Sequence, residues 1–132
     1  MAKSAPIPRA ELKKIAWARL KDAQCLYQNK RYDGAVYLCC YAVELGLKAR
    51  ICRTLKWQTF DPSGPLQAFK THSFDLLLSL SGIEVKIKTS HLKQWSRVGT
   101  WEPDLRYKPV GSATKDEARE LIEAAEALLR IL

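Results

Sequence analysis

The sequence predicts an all-α bundle in a single domain, on three observations. Apolar residues recur at three- and four-residue steps in three long segments, the spacing of one helix face. Only six glycines and six prolines occur in 132 residues, and most stand outside those segments. The one stretch that alternates at a strand's period has no second strand to pair with.

Pro6 and Pro8 close a leader, residues 1–8, that is expected to be flexible, and the helical domain is expected to span residues 9–132. From Arg9 onward, Leu12, Ile15, Ala16, Leu20, Ala23, Leu26 and Tyr27 fall on one face. Glu11, Lys13, Lys14, Lys21 and Asp22 mostly take the outer side. Asn29, Lys30 and Arg31 make a short connection, so the next helix should pack antiparallel to the first. That second helix, about Asp33 to Leu55, is apolar almost all round, through Ala35, Val36, Leu38, Cys39, Ala42, Val43, Leu45, Leu47 and Ile51. Such a helix is buried on several sides, at the bundle centre alone or at the centre plus a subunit interface. Three neighbours in so short a chain are expected not to cover it, which predicts a homodimer or a tight heteromer.

The second half is more broken. Trp57 to Lys70 reads as a loop, with breakers at Asp61, Pro62, Ser63, Gly64 and Pro65. Thr71 or Ser73 can cap a short third helix through Leu76, Leu77 and Leu80, ended by Gly82. Ile83 to Lys88 alternates apolar and charged residues and reads as an extended linker into a helix from about Ser90 to Val98. Gly99 to Gly111 is irregular. Thr114-Lys-Asp-Glu117 is a capping box that opens the last helix, with Ala118, Leu121, Ile122, Ala125, Leu128, Leu129 and Leu132 as its apolar stripe.

Charge and composition narrow the function. Lys and Arg number 22 against 14 Asp and Glu, a net charge of +8, which favours acidic partners, nucleic acid foremost, or simply solubility. Apolar residues at 47% and charged residues at 27% are a globular balance. The stretch MAKSAPIPRAELKK lacks the apolar core of a signal peptide, and the longest apolar run, Ala35 to Val43, is too short to span a bilayer. A soluble, cytoplasmic protein with no membrane contact is expected. Cys25, Cys39, Cys40 and Cys52 show no metal-binding spacing and read as buried, reduced thiols. His72 and His91 are the only histidines, and no third ligand is marked beside them, so no metal and no cofactor is expected. Phosphate-loop, dinucleotide and serine-hydrolase motifs are absent from the sequence.

Two constellations stand out. Glu44 and Lys48 interrupt the most apolar helix at i,i+4 spacing with Glu first, the favourable order. They are either a structural ion pair or the wall of a polar pocket, because a buried carboxylate needs partners. The stretch from Trp101 to Tyr107 carries Arg106, suited to bidentate contact with carboxylate or phosphate, and Tyr107, which can stack or donate a hydrogen bond. Arg106 pairing with Glu44, with Tyr107 plugging the bundle end, is the structural alternative.

The segments Ala18-Arg-Leu-Lys-Asp-Ala23-Gln-Cys-Leu-Tyr, Arg31-Tyr-Asp-Gly-Ala35 and Cys40-Tyr-Ala42-Val-Glu44-Leu-Gly-Leu-Lys48-Ala resemble the HEPN domain (higher eukaryotes and prokaryotes nucleotide-binding domain). Thr71-His72-Ser-Phe-Asp-Leu-Leu and the pair Arg106-Tyr107 before a final helix complete the likeness, which covers about Ile15 to Leu132. The resemblance implies an up-and-down bundle of four main helices, here with a short extra helix, commonly dimeric. It also implies a separately encoded minimal nucleotidyltransferase as partner, in toxin–antitoxin or defence pairs. Many members are metal-independent ribonucleases with an Arg followed after four to six residues by a His. No arginine holds that position before His72 or His91, and His91 with Arg97 has the reverse order and reads as surface. The resemblance therefore points to the subgroup without the motif, which binds nucleotide or nucleic acid, or regulates its partner. Glu44, Lys48, His72, Arg106 and Tyr107 are its candidate ligand-binding residues. The alternatives are an endoribonuclease with His72 as general acid or base and Arg106 on the scissile phosphate, and a dimerisation scaffold with a purely structural polar cluster.

Overall fold

The computed structural model describes residues 6–61, 72–99 and 107–132. Three long helices carry the fold: α1 (Arg9–Gln28), α2 (Tyr32–Thr54) and, at the end of the chain, Lys115–Ile131. Between them lie three one- to two-turn helices, α3 (Phe74–Leu80), α4 (Glu84–Ser90) and α5 (Leu92–Val98), so the last helix is α6. Among the described residues the protein is all-α, apart from one pair of two-residue strands.

The α1–α2 turn shows why the hairpin closes where it does. Lys30 adopts φ 61°, the left-handed conformation usually given to glycine. This lets the Arg31 N–H reach back to the Leu26 carbonyl (2.8 Å) and the Lys30 N–H to Tyr27 (3.0 Å), which satisfies carbonyls the helix end would leave orphaned. The exit of α2 repeats the device. Lys56 sits at φ 60°, and Trp57 N–H donates to the Cys52 carbonyl (2.7 Å).

Directly beyond that exit, β2 (Thr59–Phe60) pairs antiparallel with β1 (Ile7–Pro8), and Arg9 N–H donates to the Gln58 carbonyl. Ile7 and Pro8, assigned above to a flexible leader, are thus tied to the end of α2. Pro8 needs no ladder donor and hands over directly to α1, a position where a fixed φ costs nothing.

Helix α6 runs parallel to α2 and antiparallel to α1. At its start, the Asp33 carboxylate accepts from the N–H groups of Gly111 (2.6 Å) and Ala113 (2.8 Å). At its far end, Leu129 and Leu132 lie over Gly46, where any side chain on α2 would meet the Leu129 methyl. Thr114 accepts from the Glu117 N–H (3.1 Å), the cap expected from the sequence.

The α4–α5 pair supplies the remaining long element, and here the sequence reading is corrected. Ile83–Lys88 is not an extended linker: α4 begins at Glu84 and continues into α5 after a single break at His91. The apolar residues at 83, 85 and 87 fit both periods, and packing decides between them. Ile83 and Ile87, one helical turn apart, are buried at 8% and 0% exposure, whereas Val85 is 76% exposed. Arg97 and Glu120 pair across the α5–α6 seam. His91 and Arg97, read as surface residues, are both partly buried.

Helix α3 is capped by Ser73, which accepts from Leu76 N–H (3.4 Å), and packs on α2 through Leu77 and Leu78. Phe74 lies against Trp95 of α5 with ring centroids 5.8 Å apart. Gly82, at φ 80°, turns the chain tightly against Thr54, whose hydroxyl donates to the Ser81 carbonyl.

One continuous core results. Fourteen of the 23 residues of α2 are buried within the single chain, so its apolar character is met largely by α1, α3 and α6. Tyr37, Leu38 and Tyr41 on the same helix stay partly exposed, and the expected homodimer or heteromer is left as a proposal. Cys39, Cys40 and Cys52 are buried free thiols, while Cys25, expected inside, is exposed. A hydrogen bond with Cys39, then burial, pushes the Cys40 thiol well above its ordinary value. No helix among the described residues is long and apolar enough to cross a membrane.

Candidate functional site

Glu44 sits mid-way along α2 with its side chain 2% exposed. Among the described residues its carboxylate is the one buried acidic group, and two basic groups meet it. Lys48, one turn later on the same helix, donates from Nζ to Oε2 at 3.2 Å. His72, two residues before α3, places Nδ1 2.8 Å from Oε1. Ser73 caps α3 directly after His72, and Leu77 and Leu78 of α3 bury in the core, which brings His72 to this face of α2.

The geometry fixes the chemistry of each group. An ionised carboxylate only accepts, so the shared proton lies on His72 Nδ1. The Nε2 atom is then the basic nitrogen of a neutral ring, or a second donor of a charged one. The His72 side chain is 55% exposed, whereas Lys48 is 9% exposed and held beneath it. Lys48 Nζ also stands 5.7 Å from the centroid of the Phe60 ring, within cation–π range. Phe60 is held there by the β1–β2 pairing, so the N-terminal strand positions a wall of the site.

Tyr41, three residues before Glu44, belongs to the same neighbourhood. Burial, and then the charge of Glu44, raise its hydroxyl above the ordinary tyrosine value, with Arg19 acting in the opposite sense. Sequence reasoning missed Tyr41 and Phe60. The i,i−3 spacing to Glu44 marks Tyr41, but nothing local marks Phe60, which arrives through a two-residue strand.

Of the five candidate residues, Glu44, Lys48 and His72 come together. Arg106 lies outside the described residues. Tyr107 is described and is 74% exposed, so it does not plug the bundle. The described partners of Glu44 are Lys48 and His72. Two surface cavities of about 330 and 360 Å³ flank Asp33 and the 108–113 loop, and neither is lined by Glu44, Lys48 or His72. Among the described residues, no three His, Cys, Asp or Glu side chains gather as a metal site would need.

No curated protein and no solved structure gives a significant match to this chain. The HEPN domain family model matches residues 10–61, the stretch that holds α1, α2, Glu44, Lys48 and Phe60. A HEPN domain suggests a nucleotide- or RNA-related role in general terms. The match lies on the helical hairpin, and the all-α bundle around it agrees with the HEPN domain that the hairpin resembles.

Proposed function

We propose that the protein binds a phosphate-bearing nucleotide or RNA at the Glu44–Lys48–His72 cluster. The observation that supports this reading most is the geometry of the buried carboxylate. Glu44 holds one cation beneath the surface and orients a half-exposed imidazole outward from it. A purely structural ion pair needs only Lys48. The second hydrogen bond spends the remaining carboxylate oxygen on a ring whose other nitrogen is available to a ligand. The net charge of +8 favours the same class of anion. Arg106 and Tyr107 are assigned as further contacts on the family resemblance, and a nucleotidyltransferase partner and self-association rest on that resemblance alone.

Equilibrium binding of ribonucleotides and short RNA tests the reading. His72→Ala should weaken binding while leaving the helical signal intact. Unchanged binding would remove the cluster from the site.

One observation favours a second reading, that of a metal-independent ribonuclease. A carboxylate within 2.8 Å of Nδ1 is the arrangement that sets a histidine's tautomer for general acid–base work. The absent Arg-to-His spacing weighs against it. RNA cleavage by the purified protein, abolished in His72→Ala, would establish the enzyme. No cleavage with binding retained would establish the binding protein.

A further inference from the structure

Only one nitrogen of His72 is bound to the protein's acid. Nδ1 lies 2.8 Å from Oε1 of Glu44, and the side chain is 55% exposed, so Nε2 is the nitrogen left for a ligand. The other carboxylate oxygen, Oε2, accepts from Lys48 Nζ at 3.2 Å. Both oxygens are thus acceptors already in use, and the proton between Oε1 and Nδ1 belongs to the ring.

This arrangement decides which form of the imidazole can hold an anion. A neutral ring has one N–H, and here Nδ1 directs it at Glu44. Nε2 then presents a lone pair, which repels a phosphate oxygen. Moving that proton to Nε2 would set two acceptors against each other at 2.8 Å and leave Oε1 without its donor. Only the doubly protonated ring keeps the bond to Glu44 and also offers phosphate an N–H. Its positive charge strengthens that second bond.

We propose that ligand binding at this cluster is coupled to a proton: the charged imidazole holds the phosphate, and a neutral His72 takes up one proton from solvent as the ligand binds. The proposal rests on the cluster being the ligand site and adds how that site is regulated. Affinity falls as pH rises, so alkaline conditions release the ligand. The groups around the ring are Glu44 and Lys48 on α2, with Tyr41 one turn before Glu44. Asp75 follows three residues later in the first turn of α3, β2 brings the uncharged Phe60, and Arg19 of α1 acts on the Tyr41 hydroxyl. The other imidazole of the chain, His91, stands at the α4–α5 break.

A short single-stranded oligouridylate without terminal phosphates is the probe. Its diesters do not titrate near neutral pH, whereas a phosphate monoester does, with a second pKa of about 6. Dissociation constants are measured at constant ionic strength from about pH 5 to 8, the range in which imidazoles titrate, with amide spectra reporting the fold at both limits. Wild type should lose affinity with rising pH, at a slope approaching tenfold per pH unit. Calorimetry at about pH 8, in two buffers of different ionisation enthalpy, should show close to one proton taken up per ligand. His72→Gln should bind more weakly at the acid end and show no slope, while His91→Gln should keep the wild-type slope. Binding that depends on His72 but is flat in pH and takes up no proton overturns the coupling and leaves the site in place. Affinity that rises with pH also overturns it, because the neutral Nε2 then accepts from a ligand hydroxyl. So does a slope that His72→Gln retains or that His91→Gln abolishes. Equal binding by wild type and His72→Gln at every pH removes the site itself, and the coupling with it.

Discussion

Lys48 and Arg50 stand two residues apart on one helix, and the fold treats their charges in opposite ways. Lys48 is nearly inaccessible, yet Glu44 accepts from it and the Phe60 ring faces it. Arg50 is less buried, yet its Nε has no acceptor and its charged neighbour is another cation. Depth alone does not decide what a charged side chain is for. A deep charge with its partners built in is part of the folded structure, and it reaches function only through the group it orients, here His72.

Removing Glu44 should give the largest effect. Glu44→Ala strands Lys48 in the core, and loss of one partner of a buried pair costs about 3–5 kcal/mol. Chemical denaturation should show this against a Glu11→Ala control, which should change stability by less than about 0.5 kcal/mol. Small and equal losses would mean that Glu44 is solvated.

Lys48→Met should come next. It keeps the stem but leaves Glu44 with His72 alone, a loss of about 1–3 kcal/mol by the same measurement. A stability equal to wild type would show that His72 suffices to hold the carboxylate.

Asp33 extends the contrast to an exposed acid whose partners are backbone donors. The N–H groups of Gly111 and then Ala113 hold its carboxyl below the ordinary aspartate value, against a small opposing effect of burial. Because the folded value is depressed, the stabilisation is present above the unfolded value. It is lost as pH falls through the folded one. Melting temperature followed from neutral pH into the acid range should therefore fall less steeply in Asp33→Asn than in wild type. Parallel curves would detach this carboxylate from the 108–113 loop.

The smallest effect should come from Arg50→Met. Deleting an uncompensated charge while keeping the stem should leave stability within about 0.5 kcal/mol of wild type, or raise it. A large loss would reveal a structural partner and break the contrast with Lys48.

Much of this arrangement is legible in the sequence, and what is not has physical causes. The three long helices follow from stripes of seven or more apolar positions at helical spacing, too many to fit another period. Glu44 is legible as a buried acid because it interrupts such a stretch. Its burial implies partners without naming them: Lys48 is set by helix geometry, but His72 arrives from 28 residues away through the start of α3. Ile83–Lys88 defeats pattern reading because positions 83 and 87 satisfy a strand and a helix alike, and only burial against the core separates them. Phe60 depends on a two-residue strand pair that no local periodicity announces. Arg50 is one of 22 basic residues, and the burial of its Nε is a result of packing that no local pattern marks. Much of the apolar surface of α2 is covered within the chain, with Gly46 letting α6 come close.

We propose that the imidazole oriented by Glu44 contacts a phosphate-bearing ligand. The most direct measurement is the dissociation constant for a short single-stranded RNA, determined at fixed ionic strength for wild type and His72→Ala. The account predicts affinity reduced on the order of tenfold in His72→Ala, with the melting temperature close to wild type. Affinity that is the same in both proteins, at matched salt and with both folded, would contradict it.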